Sequence, residues 1–157
     1  MRNMRALIDH QSVIKASSQF WEQMLAMTLD PIPHSAGFFA PAGHVRGSVA
    51  LSGVWNGGIE VRIARGLAYL ATAAMMMQPV ESVTQADALD ATGEIANILA
   101  GSIKSSLPRP CAMTVPESAL QTDEFRSLPP ADDALVVVFR HPAGDLMVRV
   151  WEHDCPQ

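Results

Sequence analysis

The sequence predicts an α+β fold of two layers, in which helices pack on one face of a largely antiparallel sheet. Two stretches have the alternation and turn residues of β-hairpins, and three have the spacing of packed helices. The predicted order is helix, hairpin, helix, helix, strand, hairpin, without the regular crossovers that build a parallel sheet. With 157 residues, we expect a single domain over residues 1–157.

Composition limits the classes of partner. Apolar residues make up 48% and charged residues 17% of the chain, which is typical of a globular protein. The net charge is -5 and basic residues form no run, which argues against nucleic-acid binding. The longest apolar stretch, residues 67–77, is shorter than the ~20 residues that a membrane span needs. The apolar run at residues 6–8 is too short for a signal peptide. We therefore expect a cytoplasmic protein without a nucleic-acid or membrane partner.

Cysteine and histidine do not indicate a metal or redox centre. Cys111 and Cys155 lack the spacing of a redox pair, so two idle thiols in a reducing compartment are the favoured interpretation. The five histidines are scattered, and none lies at metal-ligand spacing from another histidine or a cysteine. We expect no metal site and no cofactor that belongs to the chain itself.

The first half of the chain predicts one helix and one hairpin. Helical spacing covers residues 11–28, with Ser12 as a candidate N-cap, and the prolines of Asp30-Pro31-Ile32-Pro33 end it. Residues 45–54 and 59–63 are predicted strands. The Asn-Gly pair between them favours a type I′ turn within Trp55-Asn56-Gly57-Gly58. Residues 31–43 are predicted to be a loop.

The second half predicts two helices, a strand and another hairpin. Residues 66–77 form a short helix ended by Pro79. Its methionine run, Met75-Met76-Met77, more often belongs to a core but could also form a partner surface. The longest helix covers residues 83–105 and starts at Ser82 or Thr84. The remaining predicted elements are a strand at 111–115, a loop at 117–132, and a hairpin from strands 135–140 and 146–151.

The long helix carries one polar stripe on an otherwise small or apolar surface. Asp87, Asp90, Glu94, Asn97, Gly101 and Lys104 follow one another at intervals of three and four residues. Asn97 and Gly93 cost a helix roughly 0.5 and 1 kcal/mol relative to alanine, which folding alone does not explain. An ordinary amphipathic helix also exposes such residues, so the stripe alone leaves a functional and a structural interpretation open.

The segment from Asp90 to Gly101, Asp-Ala-Thr-Gly-Glu-Ile-Ala-Asn-Ile-Leu-Ala-Gly, resembles the signature helix of the CheX/CheC/FliY phosphatase family. In that family the helix carries Glu-x-x-Asn, usually preceded by Asp and Gly and followed by Ala-Gly. The order of predicted elements is also similar to the CheX type, over roughly residues 12–152. CheC carries two such motifs, whereas Glu22 of the first helix here is followed by Leu25 where asparagine is needed. A single motif is the CheX-like pattern.

The resemblance implies a CheC-like fold and a phosphatase that acts on the aspartyl phosphate of a CheY-like response regulator. Glu94 and Asn97 are the implied catalytic residues. The resemblance implies that Asn97 orients the attacking water and that Glu94 pairs with a lysine of the regulator. Asp90, Gly93 and Gly101 are the implied partner contacts. The regulator supplies Mg²⁺, and the chain is implied to be a homodimer.

Two alternatives stay open. The chain could bind a response regulator, or a flagellar-switch partner, as a non-catalytic adaptor of the same fold. It could also serve a regulator outside chemotaxis. Other enzyme classes lack their motifs, because the sequence contains no G-x-S-x-G, phosphate-binding loop or H-E-x-x-H.

Overall fold

The structure is a computed structural model that describes residues 8–33, 36–40, 42–121 and 134–152. Its α-helices are α1 (His10–Leu25), α2 (Arg65–Met76) and α3 (Gln85–Lys104), with a short 3₁₀ helix at Val80–Ser82 before α3. The run at residues 6–7, most of the predicted loop 117–132, and Cys155, His34 and His153 lie outside the described residues.

Within the described residues, seven strands form the sheet. They are β1 (Asp30–Ile32), β2 (His44–Gly53), β3 (Gly57–Ala64), β4 (Cys111–Met113), β5 (Glu117–Gln121), β6 (Leu135–His141) and β7 (Gly144–Glu152). The strand order is β1-β6-β7-β3-β2-β4, and β5 also pairs with β2. Every described pair is antiparallel. The predicted α+β class with an antiparallel sheet is confirmed.

One hydrophobic cluster joins the helices to one face of the sheet. It contains residues of α1, α2 and α3 together with alternate residues of β2, β3, β6 and β7. Side chains that lie at its centre include Trp21, Ile59, Ile95, Leu99, Phe139 and Leu146. Because successive strand residues point to opposite faces, this alternation places the helices on a single face, as predicted.

Both long helices begin with a capping box. Asp9, not Ser12, is the N-cap of α1: its carboxylate accepts a 2.8 Å hydrogen bond from the Ser12 backbone N–H. The prediction of Ser12 was wrong because Ser12 occupies the third helical position, where its hydroxyl accepts from the Asp9 N–H at 3.1 Å. In α3 the N-cap is Thr84, which decides between the two predicted starts.

The first hairpin forms as predicted, but its turn is not type I′. Positive φ occurs at Gly53, at 141°, and at neither Asn56 nor Gly57. The Asn56 side chain hydrogen-bonds the Gly53 backbone N–H and carbonyl at 3.2 and 3.1 Å. Gly57 therefore starts β3. At Gly58, an added Cβ would lie 2.5 Å from the Trp151 ring, so packing against an aromatic ring explains this glycine.

Two short edge strands lie where loops were predicted. Strand β1 pairs with β6, and β5 pairs with β2 over five residues. Neither segment shows a clear alternation of apolar and polar residues in the sequence. Their strand geometry comes from hydrogen bonds to a longer neighbouring strand, which the local sequence does not predict.

The other face of the sheet carries a buried charged cluster. Glu60 of β3 pairs with Arg62 on the same strand and with Arg149 on β7, the latter at 3.7 Å. His44 lies beside Arg62, with their side-chain nitrogens 3.5 Å apart. Burial, together with the positive charge of Arg62, lowers the pKa of His44 to about 4. The imidazole is therefore neutral near pH 7.

Candidate functional site

Helix α3 is held against the middle of the sheet, over β2 and β3. Gly47 of β2 allows this close approach, because a Cβ there would lie 2.7 Å from the Thr92 carbonyl oxygen. The buried face of α3 consists of Ala88, Ala91, Thr92, Gly93, Ile95, Ala96, Leu99, Ala100 and Ile103. The long buried face makes α3 a rigid support for the residues on its other side.

The polar stripe predicted from the sequence lies on the open side of α3. Asp90, Glu94 and Gly101 are exposed, while Asp87, Asn97 and Lys104 are half-buried. Because the six residues follow one another at intervals of three and four, they share one side of α3, and the buried residues lie on the other side. The structure therefore brings the predicted catalytic residues, Glu94 and Asn97, onto one accessible surface.

Helix formation explains the two ends of the stripe. The Asp87 carboxylate accepts a 3.0 Å hydrogen bond from the Thr84 N–H in the capping box. Lys104 lies in the last turn, where a cation interacts favourably with the helix dipole. Both effects fade within one turn of a helix end. They leave Asp90, Glu94 and Asn97, in the middle of α3, without a role in forming the helix.

Glu94 and Asn97 are neighbours on the helix surface. They are three positions apart, which corresponds to an axial distance of about 4.5 Å. Within the part of the chain that the structure describes, Glu94 forms no ion pair and the Asn97 carboxamide forms no hydrogen bond. A carboxylate and an amide thus lie side by side, and within the described residues neither forms an ion pair or a side-chain hydrogen bond.

The two glycines predicted as partner contacts have different surroundings. Gly101 is exposed, and an added Cβ would meet no atom within 4 Å. Its surface is open to an incoming molecule. Gly93 is buried, and an added Cβ would lie 3.6 Å from Pro116 and 3.9 Å from Ser118, at the start of β5. A direct partner contact by Gly93 stays a prediction, and the position supports packing against β5 instead.

A groove runs beside the acidic half of the stripe and encloses about 560 Å³. We call it the Met groove. Its apolar wall contains Phe20 and Met24 of α1 with Met75, Met76 and Met77 at the end of α2. Its other wall contains Asp87, Asp90 and Glu94 of α3. The methionine run is visible in the sequence, but the groove could not be predicted from it, because its walls come from three helices that are distant in sequence.

Among residues 8–33, 36–40, 42–121 and 134–152, no group of three or more His, Cys, Asp or Glu side chains is placed to hold a metal ion. Across the same ranges, no helix combines the length and apolar character that crossing a bilayer requires.

Solved structures with the same fold include chemotaxis proteins. Chemotaxis protein CheX from Vibrio vulnificus superposes with a TM-score of 0.73 at 17% identity, over 92% of this chain and 95% of that one. A CheC-like superfamily protein from Shewanella sp. PV-4 gives a TM-score of 0.73 at 16% identity, over 92% and 96% of the two chains. A chain of the CheX–CheY–BeF₃–Mg²⁺ complex from Borrelia burgdorferi gives a TM-score of 0.71 at 17% identity, over 94% of this chain and 99% of that one. The fold is therefore that of the CheX/CheC-like class.

The sequence identifies the family within this class. The sequence model described as chemotaxis phosphatase CheX matches residues 45–140, which is more than half of the chain. The chain belongs to the CheX family. No curated protein sequence matches it significantly.

Proposed function

We propose that the chain removes the phosphoryl group from the aspartyl phosphate of a CheY-like response regulator, with Glu94 and Asn97 as its catalytic residues. The observation that carries the proposal is the pair itself, on the open side of a rigidly packed helix. Glu94 is exposed, Asn97 is half-buried, and neither side chain has a partner among the described residues. Membership of a family described as chemotaxis phosphatases supports the activity. The relative that was crystallised with CheY supports the partner.

The proposed chemistry is hydrolysis of the phosphorus–oxygen bond to the regulator's aspartate. Water attacks phosphorus, the aspartate leaves as a carboxylate, and inorganic phosphate is released. Such reactions require mainly the positioning of groups and stabilisation of charge. The regulator brings the phosphoryl group, Mg²⁺ and a lysine, so the chain needs no cofactor of its own.

Asn97 orients the attacking water. Its carboxamide offers a donor and an acceptor and carries no charge that would oppose a dianionic phosphoryl group. Its position in the middle of α3, where the backbone hydrogen bonds fix the main chain, limits the side chain to a few rotamers. Placement of this kind accounts for the acceleration that we propose.

Glu94 fixes the register of docking. Its carboxylate forms a charge-assisted pair with the regulator's lysine, and such pairs are roughly twice as strong as neutral hydrogen bonds. Asp90, one turn earlier on the same surface, extends the docking rim. At the other side of Asn97, exposed Gly101 lets the regulator's backbone approach closely.

The test measures inorganic phosphate released from a phosphorylated CheY-type regulator in the presence of Mg²⁺. We expect the wild-type chain to accelerate release. We expect Asn97→Ala to lower the rate about 100-fold, because an unpositioned water loses that much. Glu94→Ala should lower kcat/KM about tenfold, since it removes a charge-assisted contact. Lys104→Ala, on the same stripe but explained by the helix end, is the matched control and should retain activity.

The opposite outcome defines the alternative. If the wild-type chain binds phosphorylated regulators but accelerates none of them, the protein is a non-catalytic response-regulator-binding or flagellar-switch adaptor. If Lys104→Ala loses as much activity as Asn97→Ala, the surface as a whole matters and Asn97 has no special role.

A further inference from the structure

We propose that the Met groove extends the docking surface for the response regulator beyond the Glu94–Asn97 pair, with which it shares Glu94. It takes an exposed apolar side chain of the regulator that is flanked by lysine or arginine. The inference rests on the proposed function for the identity of the partner. It adds the chemistry by which that partner is selected.

Exposed methionines form the apolar wall of the groove. Met77 is 92% exposed, Met24 is 67% exposed and Met76 is 38% exposed. These side chains come from α1 and from the end of α2, yet they line one depression. Water-exposed apolar groups that cluster in a concave surface are typical of a binding site, and flexible methionine adapts to a partner's shape.

The backbone at Met77 gives independent support. Met77 ends α2 in the left-handed conformation, with φ of 53° and ψ of 46°. Glycine is the usual residue at such a position, because a side chain is strained there. This chain keeps a large side chain at a strained position, where it reaches into solvent and makes almost no contact with its own core. Strain that is retained without benefit to packing occurs at functional sites.

The facing wall specifies the charge of the occupant. Asp87, Asp90 and Glu94 line the groove, and no described Lys, Arg or His forms an ion pair with any of them. An apolar side chain that enters between the methionines therefore meets three carboxylates along one side. Cationic neighbours on the partner complement them, and this complementarity selects against acidic surfaces.

The groove is continuous with the proposed active surface, because Glu94 lines the groove and lies one turn of helix from Asn97. A regulator that contacts Glu94 is therefore adjacent to the methionines. A second copy of this chain is a poorer occupant. Two such grooves that face each other across a twofold axis bring six carboxylates together.

The experiment separates docking from chemistry. A CheY-type regulator loaded with BeF₃⁻ and Mg²⁺ is used to measure Kd, and its phosphorylated form gives kcat and KM. We expect Met24→Glu and Met77→Gly each to raise Kd and KM about fivefold to tenfold while kcat changes less than about twofold. Asn97→Ala should show the reverse, with a fall in kcat at an unchanged Kd. Asp90→Lys should also raise Kd and should weaken its dependence on salt.

Two controls keep the result specific. Met77→Gly relieves the left-handed backbone, so its loss of affinity does not come from unfolding. Phe39→Glu introduces the same charge at an apolar residue that is 59% exposed and outside the groove, and it should leave Kd unchanged.

Several results would overturn the inference. Unchanged Kd in both Met24→Glu and Met77→Gly, with wild-type phosphatase activity intact, refutes the groove and leaves the proposed function standing. Loss of self-association in these variants assigns the groove to a second copy. If the wild type releases no phosphate, the Kd comparison still decides the docking question. If it binds no loaded regulator, both proposals are wrong.

Discussion

At the scale of single residues, Asn97 is where folding and function make opposite demands. Asparagine in the middle of a helix is less favourable than alanine, and the Asn97 carboxamide gains no hydrogen bond from the described residues. We therefore expect Asn97→Ala to leave the free energy of unfolding unchanged or to raise it by about 0.5 kcal/mol. Urea denaturation of both proteins, followed by far-UV circular dichroism, measures the difference.

The activity assay gives this stability measurement its meaning. A variant that folds as well as the wild type but loses phosphate release identifies Asn97 as a functional residue. Marked destabilisation by Asn97→Ala would mean that the side chain is structural, and the role proposed for it would lose its support. Leu99→Ala provides the contrast, because it empties a fully buried site and should cost about 2–5 kcal/mol.

The candidate site could be predicted at this scale to the extent that it lies on one helix. Intervals of three and four residues place Glu94 and Asn97 together, since helix geometry alone fixes that relation. The same reasoning could not show that Gly93 faces Pro116 and Ser118, because those neighbours come from a segment more than twenty residues later in the sequence. The intervals alone also could not show that Asp87 and Lys104 have roles at the two ends of the helix.

At the scale of elements, the position of α3 depends on Gly47 of β2. An added Cβ would lie 2.7 Å from the Thr92 carbonyl oxygen and 3.2 Å from the Thr92 methyl carbon. Backbone atoms cannot rotate away, so Gly47→Ala must push α3 from the sheet. We expect a loss of about 1–3 kcal/mol in the free energy of unfolding, and lower phosphate release because Glu94 and Asn97 move with the helix.

Gly101→Ala is the matched control for this prediction. Its added methyl group meets nothing within 4 Å, and alanine favours a helix by about 1 kcal/mol over glycine, so this variant should be more stable than the wild type. Thermal unfolding of the two variants compares them directly. A Gly47→Ala protein with unchanged stability would show that the contact between α3 and β2 is looser than the structure has it.

Elements with strong local signals were predictable, and those formed by their neighbours were not. The three helices and both hairpins follow from apolar spacing and turn residues, although their ends moved by a few residues. Strands β1 and β5 carry no such signal, because pairing with β6 and β2 determines their geometry. The sequence predicts a tight turn at Asn56-Gly57, whereas Gly57 and Gly58 both lie in β3, where Gly58 packs against the Trp151 ring.

At the scale of the whole molecule, the sheet formed by the described strands has two edges at which another chain could add. Strand β1 is three residues long and contains Pro31, which lacks a backbone N–H. On the other edge, β4 and β5 are separated by residues 114–116, and the Thr114 hydroxyl accepts the Ala50 N–H at 3.0 Å. Among the described residues, the five of β5 form the longest uninterrupted stretch on either edge, so β5 is the better candidate for pairing between copies.

The sheet edge at β5 and the Met groove are two candidate interfaces for a dimer, and self-association of the variants distinguishes them. The family resemblance leads us to expect a homodimer, and the like charges of Asp87, Asp90 and Glu94 disfavour a dimer that closes over the groove. Light scattering after size-exclusion chromatography should therefore give the mass of two chains for the wild type, and the same mass for Met24→Glu and Met77→Gly. A monomeric wild type would contradict the expected dimer. A dimer that dissociates in both groove variants would place the interface on the methionines and leave the sheet edge free, because no residue of β5 is altered in either variant.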